Sequence, residues 1–205
     1  MDNISNLLQE IAITSFEVGS SCWVDVTHIN NPHHFYVRPR AYSMYLQGLQ
    51  ARGEHFDARD ICLGQIVVYK SKLQKTYLRG RVLMIHGEGA ESRYKLYAMD
   101  VGCIESGVRL KRVWKRKNES SVPSLVTLCQ LANCGPIGVR WEDTNIAEAM
   151  WNYVKGERAR MIIVNVVSDR LIVELYNSCP DDIATMLALT GFTTLGYVHN
   201  SQNEE

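Results

Sequence analysis

The sequence has 205 residues, of which 46% are hydrophobic and 21% charged, a composition typical of a globular protein with its own core. This excludes a collagen-like, disordered or disulfide-stapled chain, and no apolar run is long enough to span a membrane. The net charge is zero, yet residues 61–117 hold 13 Lys and Arg against 4 Asp and Glu, while both flanks are acidic. The pattern predicts either a charged surface that selects partners or an ordinary solvated face.

The first third of the chain predicts a hairpin and a helix. Residues 1–17 are predicted to form a tail or a short helix. Residues 22–29 and 34–39 are rich in β-forming side chains and flank an Asn-Pro turn, so they predict a hairpin. From Arg40 the apolar residues recur three and four apart, which predicts a helix ending at Gly53.

Four short strands are predicted in the basic middle of the chain, at residues 65–70, 76–85, 93–100 and 108–114. Such closely spaced antiparallel strands favour a small barrel. The stretch VGCIESG before the fourth strand is predicted to be a turn. Arg79 and Arg81 alternate with their neighbours on the second strand and are predicted to be exposed.

The last part of the chain returns to mixed structure. Residues 126–135 predict a short apolar helix or strand, and residues 146–157 a helix with one apolar stripe. Residues 159–178 contain two β-rich runs joined by a Ser-Asp turn, which predict a second hairpin. Residues 183–191 predict a final helix capped by Asp182.

Four segments in this order resemble the extended Tudor domain of germline small-RNA pathway proteins. VDVTHINNPHHFYVRP is similar to the opening hairpin of that family, and QIVVYKSKLQKTYLRGRVL with YKLYAMDVG to its Tudor core. VPSLVTLCQLANCGP resembles the linker after the core, and the closing LALTG helix resembles the returning nuclease-like half. The resemblance covers residues 18–197.

The resemblance implies a mainly β fold with helices (α+β), in which a Tudor SH3-like barrel is inserted into an OB-fold barrel of the staphylococcal-nuclease type. It divides the chain into a first part of the outer barrel at 18–60, a Tudor core at 61–117 and a second part of the outer barrel at 118–197. Residues 198–205 are then a C-terminal tail.

In the family, a methylated arginine enters a cage of aromatic rings and is held by cation–π attraction. The resemblance places the five cage positions on Tyr69, Leu78, Ala98, Val101 and Cys103. Only Tyr69 keeps its aromatic type, so the cage is degenerate. We expect weak or no dependence on arginine methylation, and a shallower apolar pocket around Tyr69, Leu78 and Val101.

The resemblance implies a peptide partner: an arginine-rich tail of a Piwi/Argonaute protein or another component of the piRNA pathway. The candidate contacts for such a tail are acidic residues of the outer unit, Glu142, Asp143 and Glu148. The alternative for each of them is ordinary solvated surface. The family also implies a cytoplasmic location in perinuclear germline granules, in agreement with six scattered cysteines that read as reduced thiols.

The segment RLKRVWKRK supports a different hypothesis. It contains six cations around Trp114, namely Arg109, Lys111, Arg112, Lys115, Arg116 and Lys117. Such a strand could bind RNA phosphates and stack a base, or it could be a solvated strand end with Trp114 packed between the two subdomains. A self-association domain is a third alternative.

The sequence lacks the motifs of catalysis, with no GxxxxGK[ST], HExxH or GxSxG pattern. His28, His33 and His34 cluster without cysteine or carboxylate at metal-ligand spacing, so no metal or other cofactor is expected. Asp100 is predicted to form a turn. We therefore expect a protein that is not an enzyme and has no small-molecule substrate and no membrane partner.

Overall fold

The computed structural model describes residues 16–43, 46, 54–55, 60–115, 122–141, 145–156, 158–167 and 169–196. The strands are β1 (Ser21–Asn31), β2 (His34–Pro39), β3 (Glu54–His55), β4 (Ile66–Lys70), β5 (Tyr77–His86), β6 (Arg93–Ala98), β7 (Cys103–Arg109), β8 (Val113–Lys115), β9 (Thr127–Leu131), β10 (Ala159–Val167) and β11 (Arg170–Tyr176). The helices are α1 (Asn145–Val154) and α2 (Ile183–Leu189). Short 3-10 turns lie at Arg40–Tyr42, Gly89–Glu91 and Leu110–Arg112.

The chain divides into two compact units. Met1–Thr14 and Arg38–Val126 form the inserted unit, and Ser15–Val37 and Thr127–Glu205 form the outer unit. The inserted unit is wider than the core predicted at 61–117, and the finer boundaries stay predictions. The α+β class, with one β unit inserted into another, is confirmed.

The outer unit is a closed five-stranded barrel in the order β1-β10-β11-β9-β2. Strand β10 pairs antiparallel with β1 and β11, and β2 pairs antiparallel with β9, whereas β11 and β9 run parallel with Leu171 opposite Cys129. The inward side chains include Phe35, Met161 and Leu175, all fully buried. Segment 126–135, ambiguous in the sequence, supplies strand β9, and residues 159–178 form the predicted hairpin.

Both helices of the outer unit form where the sequence predicts them, although α1 ends at Val154 instead of residue 157 and α2 ends at Leu189 instead of residue 191. Helix α1 buries Ile146, Met150 and Val154 on one stripe. Asp182 caps α2 by accepting a hydrogen bond from the Thr185 amide at 2.7 Å. Within the described residues, neither helix is long and apolar enough to cross a membrane. Of the helix predicted from Arg40 to Gly53, the structure describes the 3-10 turn at Arg40–Tyr42 and the helical residues Ser43 and Leu46; the rest falls outside the described residues, as does most of tail 1–17.

The inserted unit is a six-stranded sheet in the order β3-β8-β4-β5-β6-β7. Along β5 and β6, Gly80 pairs with Ala98 and Val82 with Leu96 on the inner face, while Arg81 pairs with Tyr97 on the outer face. The inner face carries its own core, which includes Tyr69, Leu78, Tyr94, Leu96 and Val108.

One prediction for this sheet is wrong, because VGCIESG is largely strand and only its start is a turn. The chain reverses at Met99–Gly102, where Gly102 adopts a φ of 88°, a backbone conformation that glycine tolerates best. Strand β7 already starts at Cys103 and pairs with β6. Strand β8 is separate and follows a 3-10 turn.

The second correction concerns Arg79, which is fully buried, whereas Arg81 is exposed as predicted. Both arginines project from the same face of β5, but the segment after the sheet covers only the first. The Arg79 Nη1 group donates to the Val122 carbonyl at 2.6 Å, and Nη2 donates to the Pro123 carbonyl at 2.8 Å.

The remaining donors of Arg79 bind Asp100, which also lies in the β6–β7 turn as predicted. Arg79 Nη2 lies 2.6 Å from Asp100 Oδ1, and Nε lies 3.1 Å from Oδ2. The Arg79 amide donates to the same carboxylate at 3.2 Å, and Arg38 donates to the Asp100 main-chain carbonyl. Both charges are fully buried, so neither can lose its partner without leaving an uncompensated charge in the interior.

We predict that Arg79→Met lowers the free energy of unfolding by about 3–5 kcal/mol, because it leaves the Asp100 carboxylate buried and unpaired. Arg81→Met is the matched control, since Arg81 projects from the same strand face but is exposed. Chemical denaturation of both variants tests this. Equal losses of stability would show that the ion pair contributes nothing particular to the fold.

Candidate peptide-binding site

The five predicted cage positions lie together in the structure. Tyr69 on β4 pairs with Leu78 on β5, and Ala98 at the end of β6 pairs with Cys103 at the start of β7. Val101 lies in the turn that joins these last two strands. All five belong to the core of the inserted unit, and their exposed fractions range from 0% to 7%. The five positions therefore form a cluster, but its side chains pack in the interior.

The predicted shallow pocket around Tyr69, Leu78 and Val101 is interior packing in this structure. Tyr69, Leu78 and Val101 are 0%, 1% and 4% exposed. Leu78 and Val101 are aliphatic. Burying an aliphatic side chain in a core is favourable in free energy, whereas lining a water-filled cage would leave it in contact with water. A contact between Tyr69 and a bound peptide stays a prediction.

The Tyr69 ring owes its place to Gly80. A Cβ atom at position 80 would come within 2.9 Å of Tyr69 Cε1 and 3.2 Å of the Leu96 Cβ atom. The missing side chain of Gly80 thus leaves room for the ring in the core. Burial, and then the charge of nearby Glu105, raise the pKa of Tyr69 far above its ordinary value, so the phenol stays neutral.

Glu105 is the site residue that sequence reasoning missed. It is 5% exposed, and its Oε2 accepts a hydrogen bond from Ser71 Oγ at 2.7 Å while Oε1 accepts from the Lys72 amide at 2.8 Å. These bonds tie the β4–β5 turn to β7. The sequence signal for Glu105 is alternation, because it lies two residues after Cys103 and so shares its inner face. The turn predicted at VGCIESG hides this signal.

Of the predicted acidic contacts, Glu148 is exposed in the first turn of α1. Glu142 and Asp143 lie outside the described residues. The structure therefore brings no pair of these carboxylates together in its described part, and their role stays a prediction.

The predicted RNA contacts are partly described. Arg109, Lys111 and Lys115 are exposed and Arg112 is half-buried, whereas Arg116 and Lys117 fall outside the described residues. The half-buried Trp114 ring packs edge-on against Tyr77, with ring centroids 5.4 Å apart. This contact packs Trp114 against β5, and base stacking on its ring stays a prediction.

The histidines of the first hairpin lie in the outer unit and make contacts within it. His33 Nε2 hydrogen-bonds the Cys134 carbonyl, and its ring packs edge-on against Trp141 at 4.7 Å. Burial lowers the pKa of both His28 and His34. Across the described residues, no group of three potential ligands is placed to hold a metal ion.

Comparison with known proteins identifies the family. The Tudor domain model matches residues 16–133, more than half of the chain, and the protein belongs to the Tudor domain family. No curated protein sequence matches it significantly.

Solved structures extend the match to the whole fold. Mouse TDRD1 extended Tudor domain TD3, solved with a MILI peptide containing dimethylarginine, is 18% identical and superposes with a TM-score of 0.68; the match covers 89% of this chain and 96% of that one. A mutant extended Tudor domain of Drosophila melanogaster Papi, solved with an unmethylated Piwi N-terminal peptide, is 15% identical with a TM-score of 0.71 over 86% and 99% of the chains. The human TDRD1 domain, solved with a symmetrically dimethylated peptide, is 19% identical with a TM-score of 0.66 over 89% and 94%. The protein has the extended Tudor fold.

We predict that the Cys103 thiol is protected in the native state. Burial raises the pKa of Cys103, and only the thiolate reacts. At pH 8 we expect iodoacetamide to label the exposed Cys62 and Cys179 about ten-fold faster or more. Mass spectrometry locates the labels. Labelling of Cys103 at the rate of Cys62 would mean that the cage positions open readily in solution.

Proposed function

We propose that this domain is a non-enzymatic peptide-binding scaffold that docks an arginine-rich tail of a Piwi-family protein or of another piRNA-pathway component, with weak or no dependence on arginine methylation. The observation that carries the proposal is the closed packing of the cage positions. Leu78, Ala98, Val101 and Cys103 present no aromatic ring, and together with Tyr69 they form a core.

The structural neighbours support a peptide as the ligand. TDRD1 and Papi domains of the same fold were solved with arginine peptides, and the Papi set includes both an unmethylated and a dimethylated Piwi peptide. By analogy, a tail with an arginine would approach the end of the inserted sheet where Tyr69, Leu78, Ala98, Val101 and Cys103 lie. The side chain would rest against this closed end instead of entering a cage.

Physical chemistry explains why methylation should matter little. Methyl groups on a guanidinium gain affinity when aromatic rings surround them, and a single cation–π contact contributes about 0.5–2 kcal/mol. Methylation also removes N–H donors that would otherwise pair with carboxylates. A site without rings therefore gains nothing from methylation and loses hydrogen bonds.

Charge supplies the remaining affinity in this proposal. The acidic outer unit contains Glu148, which is exposed on α1. It also contains the adjacent residues Glu142 and Asp143, a few positions earlier in the sequence. Carboxylates bind guanidinium groups in bidentate pairs and attract a basic tail during association. From the family resemblance we also propose a cytoplasmic location in perinuclear germline granules.

We predict that an arginine-rich peptide binds at least as tightly unmethylated as dimethylated. The cage that would reward the methyl groups lacks its rings, so the gain of about 0.5–2 kcal/mol is lost. Calorimetric titration of both forms measures this, with an alanine-substituted peptide as the control. A clear preference for dimethylarginine would contradict the methylation part of the proposal, and no binding of either form would contradict the function itself.

We predict that the triple variant Glu142→Lys, Asp143→Lys and Glu148→Lys weakens peptide binding and slows association, because it reverses three charges that would attract the tail. The control Lys111→Glu alters an exposed cation of the inserted unit and should leave peptide affinity unchanged. Stopped-flow fluorescence measures the association and dissociation rates separately. If only Lys111→Glu, combined with Arg109→Glu, abolished binding of the natural partner, the RNA hypothesis would replace the peptide hypothesis.

A further inference from the structure

The outer face of the inserted sheet combines cations with exposed apolar side chains. Outward positions on three adjacent strands contribute to it, and we call these residues the basic sheet face: Arg81, Leu83, Met84 and His86 on β5, Arg93, Lys95 and Tyr97 on β6, and Ile104 and Arg109 on β7. Leu83, Met84 and Ile104 are 42%, 44% and 51% exposed. These values are high for large apolar side chains that share one surface.

The charges of this face are not balanced within the described structure. None of its outward strand positions carries a carboxylate, and Glu105 on β7 points to the inner face. Arg81, Lys95 and Arg109 form no ion pair with any described residue, while Arg93 pairs only with Glu91, an 87% exposed loop residue. The face is therefore a concentrated positive surface.

The strand register brings like charges together. Arg93 lies directly opposite Arg109 on β7 and opposite His86 on β5. Like charges in directly opposite positions destabilise a sheet. An anion bound across the strands would offset this repulsion.

A groove adjoins the charges and is mostly apolar. It has a volume of about 570 Å³, and its lining includes Arg81, Leu83, Tyr97, Met99, Val122 and Pro123. Arg81, Leu83 and Tyr97 belong both to the groove and to the basic sheet face. A ligand in the groove therefore lies beside Arg81, a cation of the basic sheet face.

We propose that the basic sheet face and its groove dock an acidic polypeptide segment that carries an apolar side chain for the groove. The carboxylates would pair with Arg81, Lys95 and Arg109, and the apolar side chain would lie against Leu83 and Met99. Aliphatic side chains outnumber rings on the face, which favours a polypeptide over a nucleic acid, because bases stack on aromatic platforms.

This second surface is independent of the proposed arginine-tail function, because it selects the opposite charge. A scaffold that binds a basic tail at one place and an acidic segment at another can hold two different partners on one chain. Reversing Arg81 should leave binding of an arginine-rich peptide unaffected, so the two proposals fail separately.

The test measures fluorescence anisotropy of the whole chain with a labelled synthetic peptide that has a Leu-Phe-Leu centre between Asp and Glu residues. We expect saturable binding that the double variant Arg81→Glu and Lys95→Glu weakens by about ten-fold or more, because two pairing cations become repulsive. The matched control is Lys72→Glu with Lys155→Glu, which makes the same charge change at exposed lysines off the face. That control should bind with less than about a two-fold change, since distant exposed charges are screened by salt.

A second arm examines the groove. Leu83→Ser should weaken the peptide with the Leu-Phe-Leu centre by about three-fold or more, but not a peptide of the same charge with a serine centre, because only the former fills the groove. Circular dichroism confirms that each variant is folded. No saturable binding, an equal loss in the matched control, or equal affinity for the serine-centred peptide would overturn the proposal. Tighter binding of an oligouridine of the same length, lost in the Arg81 and Lys95 variant, would assign the face to nucleic acid instead.

Discussion

The buried ion pair between Arg79 and Asp100 organises the inserted unit. A guanidinium in a core costs several kcal/mol of desolvation, and the structure offsets this by giving its donors a carboxylate and two carbonyls, those of Val122 and Pro123. One side chain therefore joins a strand, a turn and the segment that follows the sheet. Ser124 adds a bond to the Met99 carbonyl at 2.7 Å and holds that segment beside the turn.

The same interaction shapes the outer face of the sheet. Because the carbonyls of Val122 and Pro123 cap Arg79, the segment covers one end of the face and its side chains become one wall of the apolar groove. Arg81, two residues further along the strand, stays open to solvent. At the inner face, the end of the core that carries the predicted cage positions is filled. The Tyr69 ring packs against Gly80 there, and Glu105 bonds to Ser71. Inner and outer faces thus differ in kind: one is closed packing and the other is exposed charge.

The sequence predicted most of the fold, because short β-rich runs between turn residues are a local signal. Both hairpins of the outer barrel, most strands of the sheet and the Asp182 cap are confirmed. The burial of Arg79 was not predictable from alternation, since Arg79 and Arg81 share a face and only a segment more than forty residues away distinguishes them. The cage positions were located as a cluster by resemblance, but whether they form a cavity or a core depends on which side chains meet across strands. Which side chains meet is a non-local property. The role of Glu105 is missed because the sequence predicts a turn where β7 starts.

The order of strands in the outer barrel has a consequence for how the chain is made. Strands β1 and β2 leave the ribosome first, yet their barrel neighbours β9, β10 and β11 are synthesised only after the inserted unit is complete. A lone hairpin is marginally stable in water. During translation the apolar face of β1 and β2 therefore stays exposed until β9, β10 and β11 are made. The inserted unit, whose strands follow one another closely in sequence, closes short loops and can fold in the meantime. Its early folding would bring Val37 and Thr127, which pair in the barrel, close together, and this lowers the entropic cost of closing a connection of about ninety residues.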